Sequence, residues 1–322
     1  MFFLVEPGTG EEVSGSASQE KAMQKFNAAQ EVTNKIIEAI ESGLADGRKW
    51  VMPWQSHGEL SMPLNALTGK TYRGGNIVSL WASGKTSGFT SGYWASFKQW
   101  KALGAQVKKA SKGTSIVFWK KFHIEDDEAP ADEESDDRKS HLKCWSSKVF
   151  NADQVEGWEP PESTVPDHEE RLESAETFFA NTGLDIRYGQ GQAFYCPAED
   201  YIGMPSRSCF VATEYGTASE HFYSVLAHEA AHASGAKHRL DRDLSGRFGS
   251  EKYAAEELVA EISSAMTCAL LNISPAPRED HFHYVKNWLD VLRGDKYAIF
   301  TAASKAQAAT EYLQGLQGEG EQ

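Results

Sequence analysis

Apolar residues recur at helical spacing between residues 20 and 44. Phe26, Ala29, Val32, Ile36, Ile37, Ile40 and Leu44 fall near one side, and Gly43 and Gly47 lie at the end. This pattern predicts a helix. A short helix is predicted over 94–103. The run TSIVFWKKF (Thr114–Phe122) is β-branched and aromatic, so it predicts a strand, with a return strand at Cys144–Phe150. The acidic segment 125–139 between them is expected to be a solvated loop. Residues 151–172 hold three prolines and many acids and read as a linker. Beyond it a helix is predicted over Ser174–Thr182, then strands at Ala193–Cys196 and Cys209–Thr213. Helical patterns follow from about Ser219 to Gly235, over 250–271 and over 281–293. After Ala303 the chain ends in LQGLQGEGEQ and is expected to fray. The resulting division is a first domain over 20–152, a linker over 153–172, a second domain over 173–303 and a flexible tail over 304–322. Both halves mix strands and helices, which gives an α+β fold class, the first half being a small α/β unit.

Composition narrows the class. The chain has 322 residues, 40% of them hydrophobic and 24% charged, an ordinary soluble balance. No apolar run approaches the roughly 20 residues needed to cross a bilayer, so no membrane partner is expected. The start MFFLVEPGTGEEV lacks a basic segment and does not read as a secretory signal. The four cysteines show no CxxC spacing. This argues against a disulfide scaffold and for a reducing, cytoplasmic location.

The net charge of −14 conceals a strong asymmetry. From Ser61 to Lys121 there is no Asp or Glu, while ten Lys and Arg residues fall in that stretch. Nine acids then crowd between Glu125 and Asp137. A local cationic surface implies an anionic partner. The same stretch is rich in Trp, Tyr and Phe. Lysines for phosphates and rings for unstacked bases together fit single-stranded nucleic acid, each base–ring stack being worth about 1–3 kcal/mol. The candidate contacts are Lys70, Tyr72, Arg73, Lys98, Trp100, Lys101, Lys108, Lys109 and Lys112. The competing reading makes the rings a core and the lysines its solvated face. Binding should weaken steeply with salt, favour single strands over duplex, and survive truncation near residue 155.

The sharpest motif is His228-Glu229-Ala230-Ala231-His232, inside the apolar helical run YSVLAHEAAHAS. Histidines at i and i+4 share a helix face and can converge on one divalent ion. Glu229 is turned to an adjacent face, where it can serve as general base towards a water. Three residues compete as third ligand. His238 fits the longer HExxHxxGxxH spacing, but Met266, the one later methionine, sits in a helical pattern and not a turn. Glu257 and Glu261 share a face of the helix EELVAEISSAMTCALL, so one could bind the ion while the other orients an imidazole. Two His and one Glu leave a coordination position open, as in catalytic zinc sites. Peptide-bond hydrolysis is the leading reaction class. Arg239, Tyr215, Tyr253 and His221 are candidates to stabilise the oxyanion. A nuclease is disfavoured, because such sites prefer carboxylate-rich coordination.

In both halves the chain resembles ArdC-type plasmid antirestriction proteins. The matching segments are NALTGKTYRGGN (65–76), FKQWKALGAQVKKASKG (97–113) and KVFNADQVEG (148–157) in the first half. In the second they are AFYCPAEDYIGMP (193–205), YSVLAHEAAHASG (223–235) and HRLDRDLSGRFGSEKYAAEELVAEISSA (238–265). The resemblance implies a single-stranded-DNA-binding domain followed by a zincin-like, gluzincin-type metallopeptidase domain. It implies ligation by His228, His232 and a carboxylate of EELVAE, with Glu229 catalytic and Zn2+ or another divalent ion such as Mn2+ as cofactor. It further implies protection of conjugating plasmid DNA from restriction, by one of two routes: binding shields the entering strand or helps convert it, or the peptidase attacks a host protein such as a restriction component. The alternative is a DNA-binding protein whose metal site is structural or proteolytically inactive.

Overall fold

The computed structural model describes residues 29–42, 61–123, 140–161, 166–247, 249–275 and 281–318. The first apolar stripe forms helix α1 over residues 29–42, with Ala29, Val32, Ile36 and Ile40 fully buried. The remainder of the helix predicted over 20–44 and the acidic segment 125–139 lie outside the described residues. Next come β1 (Leu64–Asn65), α2 (Gly75–Ser87), β2 (Tyr93–Ser96), α3 (Phe97–Ala102), β3 (Gln106–Val107), β4 (Thr114–His123), β5 (Ser140–Asn151) and β6 (Val155–Glu156). The main sheet runs β1-β2-β5-β4, antiparallel except for the β1–β2 pair, and β3 pairs with β6.

The segment predicted as a helix over 94–103 divides in two. Trp94 and Ala95 pair with Asn151 and Phe150 in the sheet. Ser96 then caps α3, its hydroxyl accepting the Gln99 N–H while the Gln99 side chain accepts the Ser96 N–H. A capping box in mid-segment is what switches strand to helix.

The second half contains α4 (His168–Asn181), β7 (Asp185–Tyr188), β8 (Phe194–Cys196), β9 (Tyr201–Met204), α5 (Ala218–Ser234), α6 (Glu251–Leu271), α7 (His281–Gly294) and α8 (Ala298–Gly315). The small sheet runs β7-β9-β8, so β8 is an edge strand. Among the described residues no helix is long and apolar enough to cross a membrane.

Three expectations are corrected. No strand forms at Cys209–Thr213; a short 3-10 turn ends at Cys209, and Val211 is exposed with no sheet to pair against. The linker over 153–172 is shorter at both ends, because β6 pairs with β3 and Asp167 already caps α4. The tail after Ala303 is not frayed: α8 continues to Gly315, and Ala306, Ala309 and Leu313 are fully buried. Its apolar stripe is mostly alanine, which carries little hydropathy but lets α8 approach α6 closely.

The halves also share a core. Val32, Ile36 and Ile40 of α1, with Ile77 and Val78 of α2, pack into one cluster with Leu258 and Ile262 of α6, Trp288 of α7 and Ile299 of α8. Each such aliphatic side chain contributes about 1.5–3 kcal/mol when fully buried. A cut near residue 155 would strip α1 and α2 of these partners and leave the first half its own smaller clusters around Trp100 and Trp94. A second core surrounds α5, with Phe178, Ile202, Met204, Phe222 and Leu226.

Candidate metal centre and strand-binding surface

Helix α5 starts at Thr217, whose hydroxyl accepts the Glu220 N–H in a capping box. Ala227, Ala230, Ala231 and Ala233 are essentially buried, and these small side chains let α6 lie close. Ser264 on α6 donates to the Ser224 carbonyl across the contact at 3.0 Å. The two helices therefore set His228 and His232 against Glu256, Glu257 and Glu261.

The Nε2 atoms of His228 and His232 are 3.1 Å apart. Glu257 reaches both, at 3.4 Å from each Nε2. These three donors lie within 4.8 Å of one another. On the far sides of the rings, His228 Nδ1 lies 2.8 Å from Glu261 and His232 Nδ1 lies 3.3 Å from Glu256. A carboxylate beside each Nδ1 favours the proton there and leaves both Nε2 lone pairs facing inward. Two lone pairs and a carboxylate aimed at one point need a cation between them. This donor set of two imidazoles and one carboxylate fits a divalent transition metal.

The clustered carboxylates call for positive charge at this point. Burial alone would lower the His232 pKa, but Glu256 and Glu257 outweigh it and push it up to about 10. Burial would raise Glu257, yet His228 and His232 hold it well below the carboxylate range. Glu256 is likewise held low, against its burial, by His232 and Arg242.

Arg242 completes the arrangement from the loop after α5. Its guanidinium donates to both Glu256 oxygens, to Ser234 Oγ and to the Ala231 carbonyl. Gly235 makes this possible: its φ is ordinary, but a Cβ there would lie 2.8 Å from Arg242 Nη2. Gly235→Ala should therefore destabilise the fold by about 1–3 kcal/mol, read as a lowered Tm, and weaken metal uptake by moving Arg242 off Glu256.

Glu229 faces a cleft of about 450 Å³ whose walls include His228, His232, Glu257, Tyr253 and the edge-strand residues Phe194 and Tyr195. Of the oxyanion candidates, Tyr253 lines this cleft. Arg239 is engaged in a bidentate pair with Asp200, and His221 contacts Val211 and Thr213. His238 stands outside the donor cluster, 3.3 Å from Asp200. Tyr195, Glu256 and Arg242 are not legible as site residues in the sequence: no spacing rule marks a lone Arg in a loop or a Tyr on a three-residue strand. The Tyr195 hydroxyl donates to Asp200, and burial together with that carboxylate raises its pKa to about 12.

On the basic half, Lys70, Arg73, Lys98, Lys101, Lys108, Lys109 and Lys112 are exposed. Trp100 must be withdrawn as a DNA contact. It is fully buried, its indole N–H donates to the Phe150 carbonyl at 3.0 Å, and its ring packs edge-on against Trp158. Tyr72 is half-buried, with its hydroxyl donating to the Trp94 carbonyl. Among the described residues of this half, the exposed rings are instead Phe97, Phe118, Trp119 and Trp145.

Comparison with known proteins agrees with this two-part layout. Residues 26–150 match the N-terminal domain of anti-restriction factor ArdC, and residues 173–305 match a zincin-like metallopeptidase family. The chain is 46% identical to the uncharacterized protein y4eC of Sinorhizobium fredii, covering 89% of this chain and 92% of that one. It is 34% and 33% identical to two DNA primases TraC of Escherichia coli over 88% of its own length, but spans only 19% and 27% of theirs. The metal-free crystal structure of the antirestriction protein ArdC from plasmid R388 superposes with a TM-score of 0.71 at 37% identity, covering 92% of this chain and 100% of that one. Its Mn(II)-bound structure gives 0.68 at 36% identity, covering 90% and 98%. A two-part match in the same order, extending over a whole solved relative, places this chain in the ArdC antirestriction family.

Proposed function

We propose that this protein is an antirestriction factor that binds single-stranded DNA entering by conjugation and hydrolyses a peptide bond at a divalent-metal site. The observation that carries the catalytic part is the convergence of His228 Nε2, His232 Nε2 and Glu257 beside Glu229 in one cleft. His228, His232 and Glu257 would hold the ion, with Glu261 and Glu256 orienting the two rings from behind. The Mn(II)-bound relative supports a divalent ion, and the donor set suits zinc. Such an ion lowers the pKa of a water towards about 7 and polarises a carbonyl.

The chain's own residues do the rest. Glu229 accepts the proton of the attacking water at its carboxylate and returns it to the departing amine. Tyr253 stands in the same cleft to donate to the developing oxyanion. An extended peptide can add to β8, whose outer edge borders the cleft, so main-chain pairing would position the substrate. A host restriction component is the proposed substrate class. The exposed lysines supply the salt-sensitive part of strand binding.

The test is Glu229→Gln in the full chain, with metal content, peptide hydrolysis and protection of transferred DNA measured together. Retained metal, lost hydrolysis and lost protection support the reading. Protection unchanged in that variant would leave DNA binding alone as the protective activity.

A further inference from the structure

A second cavity, of about 640 Å³, lies between the two halves. One wall is the turn Arg73–Asn76 with Val117–Trp119 of β4; the other is α8, through Phe300, Gln307 and Glu311. We propose that this groove seats the single-stranded DNA, so that the strand is held by the metallopeptidase half as well as by the basic half. The seat rests on the strand-binding reading above and gives it a location.

Exposed ring surface lines the groove. Trp119 is 39% exposed although it belongs to its wall. Its strand neighbour Phe118 turns to the opposite face of the sheet, where it stacks on Trp145 with centroids 5.9 Å apart. Trp119 is set edge-on by Tyr297 and Phe300 of the other half. A ring left open to water but fixed by its neighbours is a platform on which a base stacks without further ordering cost. A paired base cannot lie on such a ring, which selects against duplex.

One cation of the basic stretch reaches the groove. Arg73 stands at the groove with its side chain 71% exposed, on a stretch that has no acid from Ser61 to Lys121. The α8 wall offers neutral Ser304, Gln307 and Ala308 and one acid, Glu311. Glu311 is 2.6 Å from Arg73. Its carboxylate thus occupies the position on the guanidinium that a phosphate oxygen would take.

The two walls are also joined. The Gln307 side chain accepts the Gly74 N–H. Gly75 lies so close to Phe300 that a Cβ would collide with the ring. The groove is therefore a fixed seam between α2 and α8, and its width does not depend on either half alone.

The experiment is fluorescence anisotropy of a labelled oligothymidylate with the full chain at low and moderate salt. Trp119→Ala should weaken binding by about tenfold, the value of one base–ring stack. Glu311→Gln should tighten it by about threefold, because it frees Arg73 and removes a repelling charge. Thermal unfolding of each variant checks that it folds. The α8 variant is decisive. Unchanged or weaker binding by Glu311→Gln, whatever Trp119→Ala does, overturns the shared seat. Failure of the unsubstituted protein to bind the oligonucleotide at low salt overturns the strand-binding reading itself.

Discussion

With glutamine at position 229, hydrolysis of a susceptible peptide should fall by about 100- to 10,000-fold, the usual worth of a positioned general base. Metal content should not change. Glu229 is not among the three convergent donors, and glutamine keeps its size inside a helix where the residue is 3% exposed. The loss should appear in kcat with little change in KM, since a group that moves a proton acts on the transition state more than on substrate binding. The rate of peptide cleavage with metal stoichiometry measured on the same sample checks this. A variant that kept the full rate would show that another group takes the proton.

Arg242 carries the second large effect. Replacing it with methionine keeps most of the side-chain volume but leaves the Glu256 carboxylate buried beside His232 without its cation. Breaking a buried pair in this way costs about 3–5 kcal/mol. Glu256 also orients the His232 ring, so metal affinity should fall by about 10- to 100-fold, as it does when a partner behind a ligand is removed. Arg242→Lys should rescue little. A lysine cannot donate at once to Glu256, Ser234 and the Ala231 carbonyl as the guanidinium fork does. Thermal unfolding with and without added metal, followed by a metal titration, separates the two effects. Unchanged melting and unchanged affinity in Arg242→Met would remove Arg242 from the site.

The parts of this molecule that are legible in the sequence are those governed by local periodicity. The i, i+4 spacing of His228 and His232 is enough to place both imidazoles on one face, and Glu257 with Glu261 follows the same rule on α6. What escapes depends on tertiary approach. Trp100 sits among lysines in the sequence, yet α3 is so short that one face must close against the sheet, and the largest ring takes that face. Conversely Phe118 and Trp119 fall in a strand whose neighbours Ile116 and Val117 are buried, and alternation alone does not tell where the covering layer ends. Helix α8 escapes because alanines pack without announcing themselves as hydrophobic. Arg242 and Glu256 escape because a loop and a helix converge there from opposite directions.

The apolar cluster that unites α1 and α2 with α6, α7 and α8 bears on how such a protein can be inherited. Separating the halves by recombination would open that cluster on both sides. The two longer primases match 88% of this chain, a share that takes in both halves and so both sides of the cluster.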